Sequence, residues 1–516
     1  MNRQDTLRQI IGSTAPWDLA VIGGGATGVG IALDAAARGY RVMLVEQSDF
    51  GKGTSSRSTK LVHGGVRYLQ QGNLSLVMEA LKERGILFQN APHLVHDLSF
   101  VVPNYQWWEA PFYGLGLKIY DMLAGQYGFG RSRLLSPDEV LERIPTLDRD
   151  GLRGGVLYRD GQFDDSRLLI NLAQTAAGLG APLLNYAPVL ALLKDRDGLV
   201  EGLRFRDQES GQEHAVAARC VVNATGPFSD GVRRLDDPRA EPMLAPSQGV
   251  HLVLDSSFLP GDTAIMVPHT RDGRVMFAIP WHGHALVGTT DTPISNIAIE
   301  PRPQPGEIEF ILETASDYLA KRPRTEDILS VFTGIRPLVS AGGGRRTPPP
   351  GPLALGRGEG EGWARNTASL SRDHTIAISS SGLLTILGGK WTTYRKMAQD
   401  AVDHAVVLGR LPERPCTTRD LRIHGFHPDT RDALGVYGSD AAAIRSLMQA
   451  DPALAQPLHA ALAINGAQVG WAAREEMART LDDVLARRTR ALFLNARAAI
   501  AMAPAVARLM ASELGQ

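Results

Sequence analysis

Residues Leu19–Glu46 read LAVIGGGATGVGIALDAAARGYRVMLVE, and their order decides the fold. Leu19–Ile22 is an apolar strand, Gly23–Gly28 a glycine turn, the run of small residues to about Arg38 a helix, and Val42–Val45 a second strand that Glu46 ends. Strand, glycine turn, helix and strand within about 30 residues form a βαβ unit, the opening of a Rossmann-like α/β domain. Gly23, Gly25 and Gly28 satisfy G-x-G-x-x-G. Gly23 permits the tight turn, Gly25 lets the backbone approach a pyrophosphate, and Gly28 lets helix and strand pack closely. The helix start at Ala26 and Thr27 offers N–H groups and a positive dipole end to phosphate. Glu46, 18 residues after Gly28, is placed to accept a hydrogen bond from a ribose hydroxyl, and its charge disfavours a 2′-phosphate. The turn thus addresses a dinucleotide without separating a nicotinamide from a flavin.

Outward from this unit, Gly154–Tyr158 and a helical pattern from Ser166 to about Gly178 lead to a strand at Cys220–Val222 that closes at Asn223-Ala-Thr-Gly226. His251–Leu254, Ala264–Val267, Val275–Ile279 and Ala285–Gly288 read as short strands of a mostly antiparallel sheet, and so as an inserted second domain. Residues 341–362 are rich in Gly and Pro and read as a loop. From Leu434 the chain has helical spacing, with Met477, Leu481, Val484, Leu485 and Leu492 sharing one face. With 516 residues, two or three domains are expected. The near balance of 54 basic and 55 acidic side chains gives no global field to attract nucleic acid. Cys220 and Cys416 lie far apart and no close Cys/His cluster suggests a metal site, which fits a reducing compartment. Met1–Pro16 has no apolar run of signal-peptide length, and no stretch reaches the 18 or so apolar residues of a membrane span. Membrane contact is therefore expected to be peripheral.

The run Ile22–Asp34 with Arg38-Gly39, and Gly388-Gly-Lys-Trp-Thr-Thr-Tyr-Arg395 with Ala398, resemble the two signatures of the FAD-dependent glycerol-3-phosphate dehydrogenase family. The likeness continues in Thr54-Ser-Ser56, Leu61–Leu69, Asn223–Pro227, Gly288-Thr-Thr-Asp291 and Gly334-Ile-Arg-Pro337, and so covers nearly the whole chain. The resemblance implies non-covalent FAD. It places Thr54, Ser55, Ser58 and Leu61 on the phosphate and flavin side, and Val189 at the adenine. Ala224 and Gly226 pass close to the dinucleotide, and Gly389 and Thr392 face the isoalloxazine. It divides the chain into an FAD-binding domain (15–75, 155–240 and 365–405), a substrate domain (76–154 and 241–364) and a C-terminal helical domain (410–516).

The resemblance also implies oxidation of sn-glycerol 3-phosphate to dihydroxyacetone phosphate, with Arg67, Tyr68, His251, Arg336, Arg372 and Lys390 around the substrate. Arginine forks and a lysine charge suit a phosphate dianion. Arg336 and Lys390 can also stabilise a developing alkoxide, and His251 or His63 has the acidity suited to taking the hydroxyl proton. One departure is the Gly/Pro-rich segment between Arg336 and Arg372, longer than is usual in the family. The alternatives are a glycerol-3-phosphate oxidase using oxygen, whose inserted segment is not found here, and a flavin-binding sensor without catalysis. The family's acceptor is a membrane quinone, which implies a cytoplasmic chain at the inner face of the cytoplasmic membrane; a homodimer is compatible with this. Trp107-Trp108 and Pro111-Phe-Tyr113 are candidate membrane contacts, with Arg487, Arg488 and Arg490 as charge for anionic headgroups. Since every expected ligand precedes Ala398, a chain ending near His427 is expected to keep FAD and substrate reduction.

Overall fold

The first strand spans Trp17–Ile22 and the second Val42–Val45, with the helix Ala26–Ala37 between them. This computed structural model describes residues 1–65, 73–268, 270, 273–340, 374–428 and 434–515. The helix is built of small residues because it is enclosed: a Cβ on Gly30 would lie 3.0 Å from the Tyr394 ring of the helix Tyr394–Leu408. Its buried Asp34 is neutralised by Arg38 one turn on, at 2.6 Å.

Around the first strand a sheet runs in the order His374–Ile378, Leu384–Gly388, Glu213–Asn223, Trp17–Ile22, Val42–Val45 and Leu183–Leu184. Its central pairs are parallel, and the first strand has Val42–Val45 on one side and Glu213–Asn223 on the other. The chain leaves the first strand where the strand order reverses, the place at which open α/β sheets bind ligands. The expected Cys220–Val222 strand is the end of the longer Glu213–Asn223, whose first half pairs instead with the antiparallel Val200–Arg206.

The second sheet contains the four strands read from the sequence, here Ser247–Asp255, Thr263–Val267, Met276–Trp281 and His284–Gly288, with Ile328–Arg336 beside the first of them. All pairings in it are antiparallel except that of Thr263–Val267 with Val95–Asn104. Leu61–Val62 and residues 155–163 of the strand Gly154–Phe163, which the division by sequence gives to the cofactor part, pair in this second sheet.

The C-terminal region departs from one amphipathic helix. Met477 and Arg490 have left-handed backbone (φ 56° and 59°), and the Asp483–Arg488 turn between them is of π type. Met477, Val484 and Leu485 are buried, but Leu481 is exposed. Arg487, Arg488 and Arg490, expected to face headgroups, are all buried. Arg488 and Arg487 both grip Asp49, with Arg488 Nη2 donating to it at 2.9 Å, and Arg490 lies 3.0 Å from Asp164. Burial alone would raise the Asp49 carboxyl, yet Arg488 and Arg487 hold it at about 2. The helices Gly466–Glu475 and Ala496–Leu514 share a hydrophobic core with the second sheet, where Val469, Phe493, Ala498 and Met502 meet Phe100, Tyr158 and Phe332.

On the helix Glu109–Ala124, Tyr113, Leu117 and Tyr120 face the core, whereas Phe112, Leu115, Ile119 and Met122 form an exposed apolar stripe. Trp107 and Met122 are 77% and 79% exposed. Of the aromatic residues named from the sequence, Trp107, Trp108 and Phe112 are at the surface and Tyr113 is not. No helix of the described residues is long and apolar enough to cross a membrane.

Candidate active site

Two clefts lie side by side. The first opens at the C-terminal ends of the parallel strands and is lined by Gly23, Gly25, Ala26, Thr27, Glu46, Thr54, Ser55, Val189, Ala224, Gly226 and Gly389. Two glycines of the turn are sterically obligatory. Gly23 has φ +110° and a Cβ there would sit 2.6 Å from the Ala224 carbonyl oxygen, while a Cβ on Gly28 would meet the Gly23 oxygen at 1.9 Å. Gly28 is therefore a packing residue beneath the turn. Gly25, at the N-cap, has no side chain to cap the 12-residue helix, whose N-terminus faces the cleft. The Ala26 N–H donates to Ser55 Oγ at 2.9 Å, and Trp391 Nε1 holds the Ser55 carbonyl at 2.8 Å. Glu46 accepts from the Gly24 N–H at 2.6 Å and the Ser48 N–H at 2.9 Å. Burial raises its carboxyl above the ordinary value, against those two donors. A helix start with no N-cap side chain, a backbone stripped of side chains and a carboxylate at the end of the second strand fit a dinucleotide such as FAD.

Three residues expected at this cleft lie elsewhere. Ser58 donates its hydroxyl to Asp165 at 2.7 Å, Leu61 is buried at the second cleft, and the buried Thr392 accepts from the His63 N–H at 3.3 Å. Lys390, expected at the substrate, lines the first cleft.

The second cleft lies on the second sheet. Its polar lining includes Thr59, His63, Arg274, Thr289, Asp291 and Arg336, and its apolar walls include Phe100, Tyr158 and Phe277. Arg336 ends its strand here, and the next residue, Pro337, lines the first cleft, so the two clefts meet at this dipeptide. Arg336 Nη2 donates to Thr290 O at 2.9 Å and Thr289 Oγ1 at 3.1 Å, and Nη1 lies 3.2 Å from Asp291 Oδ1. Gly249 makes room for this guanidinium, since a Cβ there would be 2.5 Å from Nη2. Arg274 donates to the Asp291 carbonyl oxygen from the other side, so the buried Asp291 stands between two arginines.

Of the two candidate histidines, His63 lines the second cleft. His251 is 3% exposed and lies behind the wall, its Nε2 2.9 Å from Thr59 Oγ1. Burial, then Lys60 and then Arg336 push the His251 pKa well below its ordinary value, which keeps the imidazole neutral. Arg67, Tyr68 and Arg372 lie outside the described residues, as does the Gly/Pro-rich segment 341–362. Arg274 and Thr59 were not singled out from the sequence. Arg274 ends a charged turn-like stretch, and nothing local shows that it folds over Asp291. Thr59 sits between two matched motifs and becomes informative only when the sheet brings His251 behind it. Among the described residues no group of three or more His, Cys, Asp or Glu side chains could hold a metal ion.

Comparison with known proteins matches residues 18–395 to the FAD dependent oxidoreductase family and residues 380–516 to the C-terminal domain of alpha-glycerophosphate oxidase. The mitochondrial glycerol-3-phosphate dehydrogenase of Arabidopsis thaliana is 42% identical over 98% of this chain and 84% of its own length. The mitochondrial glycerol-3-phosphate dehydrogenase of Homo sapiens is 39% identical over 97% of this chain and 71% of its own. The solved structure of glycerol-3-phosphate dehydrogenase from Bacillus halodurans, complexed with FAD, superposes with a TM-score of 0.77 at 31% identity, covering 99% of this chain and 93% of that one.

Proposed function

The chain belongs to the FAD-dependent glycerol-3-phosphate dehydrogenase family, and we propose that it oxidises sn-glycerol 3-phosphate to dihydroxyacetone phosphate in the second cleft and delivers the electrons to a membrane quinone. The observation that carries this reading is the junction at Arg336-Pro337, where a cleft lined by Arg274 and Arg336 adjoins the dinucleotide cleft. FAD, when bound, supplies the acceptor for a hydride from the substrate's secondary carbon. Arg336 and Arg274 hold the phosphate, a dianion that competes well with the single carboxylate of Asp291 for their donors. His63 is the proton acceptor for the secondary hydroxyl, because it lines the cleft and His251 does not. Lys390, on the wall of the first cleft, adds positive charge on the side where the hydride departs.

Quinone delivery gives the exposed stripe on Glu109–Ala124 a role. With Trp107 and Trp108 it forms an apolar surface suited to the headgroup region of a bilayer, and Lys118 is exposed on the same helix.

The test is anaerobic. Glycerol 3-phosphate should bleach the yellow protein, unphosphorylated glycerol at the same concentration should not, and the bleached protein should recover its colour faster with a soluble quinone analogue than with oxygen. Bleaching by glycerol alone would dismiss the phosphate site, and faster recovery with oxygen would make the chain an oxidase. His63→Asn should lower the rate of bleaching by about 10²- to 10⁴-fold at unchanged flavin content.

A further inference from the structure

His251 lies close to the second cleft without lining it, and the sheet explains why. In register it stands opposite Gly288 on one neighbouring strand and Phe332 on the other. Its ring stacks on Phe332 at 4.9 Å and 16°, and a Cβ on Gly288 would be 2.5 Å from its Cδ2, so the imidazole occupies a slot that only glycine leaves open. Its one polar contact among the described residues is Thr59 Oγ1, and Thr59 lines the cleft.

The backbone that carries Thr59 is fixed with unusual force. Lys60 has left-handed backbone at φ 62°, a conformation that L-residues adopt at a cost of order 1–3 kcal/mol. Its ammonium holds the chain there from a closed box, donating to both Asp165 oxygens at 2.8 Å and to Ser56 O at 2.7 Å. The rings of Trp281, Phe332 and Phe493 close around it at 5.0–5.3 Å. The Thr59 hydroxyl is thus aimed from two sides, by its backbone and by His251.

We propose that Thr59 is a substrate-contacting residue of the second cleft, and that His251 is a positioning residue that directs the Thr59 hydroxyl toward a hydroxyl of a polyol phosphate. A neutral imidazole protonated at Nε2 donates to Thr59 Oγ1 and puts no N–H on the buried, unpartnered Nδ1, which leaves the Thr59 hydroxyl hydrogen to be donated into the cleft. An oxygen of the substrate accepts it, as an oxygen of dihydroxyacetone phosphate can. A methyl in place of Thr59 Oγ1 would leave both that substrate oxygen and His251 Nε2 unpaired.

This inference rests on the reading of the second cleft as the glycerol phosphate site, and a double-mutant cycle separates the two. Thr59→Val keeps the branched shape and should raise KM for glycerol 3-phosphate about three- to ten-fold, the worth of one neutral hydrogen bond, with flavin content unchanged. Thr59→Ser should stay within about two-fold of the wild type. His251→Phe, which keeps the stack on Phe332, should show the same loss, and the double variant should be no worse than either single one. Binding of dihydroxyacetone phosphate, followed by the absorbance of the bound flavin, should weaken in parallel. A Thr59→Val variant with wild-type KM, or losses that simply multiply in the double variant, would overturn the proposal alone. A wild-type chain neither bleached by glycerol 3-phosphate nor able to bind dihydroxyacetone phosphate would overturn the reading beneath it as well.

Discussion

At the scale of single residues, Arg336 makes the most specific prediction. It is partly buried, it spends its donors on Thr289, Thr290 and Asp291, and it faces the cleft shared with Arg274. Loss of a charge-assisted hydrogen bond costs about 1.5–3 kcal/mol, so Arg336→Ala should lower kcat/KM for glycerol 3-phosphate by roughly ten- to a hundred-fold. Any turnover of unphosphorylated glycerol forced at far higher concentration should barely change. Steady-state kinetics on both substrates checks this, and equal losses would place Arg336 in the chemistry or the fold. The pH profile gives a second prediction. His251 is neutral throughout the working range because burial, Lys60 and Arg336 disfavour its charge, so its protonation should contribute no acid limb to kcat near pH 6.5. An acid limb in that region that vanishes in His63→Asn and persists in His251→Phe would assign it to His63. The residues legible in the sequence are those whose role is set by their own backbone, such as Gly23 and Gly28. Thr59, Arg274 and Asp291 work through partners 17 to 192 positions away, and no local pattern encodes such pairs.

At the scale of elements, the βαβ opening was legible almost to the residue, because strand, turn and helix there are each dictated by neighbours in sequence. The second strand is Val42–Val45 in both readings. The inserted sheet was legible as four strands and not as a sheet, since its order and the arrival of Gly154–Phe163 are fixed by packing. Helix Glu109–Ala124 shows the limit from the other side. Its aromatics were visible, but only the fold shows that Tyr113 turns inward while Leu115, Ile119 and Met122 join Phe112 outside. Replacing Leu115 and Met122 with Glu puts two charges into that stripe, at positions whose side chains make little core contact. The expected result is a substantial loss of co-sedimentation with vesicles, with reduction by glycerol 3-phosphate in solution retained. Vesicle binding equal to the wild type would remove this helix from any membrane role.

At the scale of the whole molecule, the C-terminal helices are tied into the rest by buried charge as well as by packing. Asp49 has a folded pKa of about 2 against an ordinary 3.8, so its pairing stabilises the fold fully above about pH 4 and is lost as the pH falls toward 2, a contribution of about 2 kcal/mol. Asp49→Asn should therefore destabilise the protein strongly at pH 6 and much less near pH 2, as read by denaturant unfolding at the two pH values. The sequence suggested a separable C-terminal unit because the recognisable chemistry ends near Ala398, but it could not show where the charges of that unit go. They go into the cofactor and substrate parts: Arg487 and Arg488 to Asp49, Arg490 to Asp164, and Glu476 to Arg167 at 2.7 Å. A chain ending near His427 would leave Asp49, Asp164 and Arg167 without these partners and would uncover Phe100, Tyr158 and Phe332. Removing one partner of a buried ion pair costs about 3–5 kcal/mol, so three such losses rival the roughly 5–15 kcal/mol that holds a typical domain folded. Phe493, which closes the box around Lys60 behind the second cleft, is lost as well. The truncated chain should consequently be insoluble or free of flavin, and co-expression of residues 428–516 as a separate polypeptide should restore colour. A soluble, yellow truncation still bleached by glycerol 3-phosphate would show that these buried charges are dispensable and that the C-terminal helices are an independent unit after all.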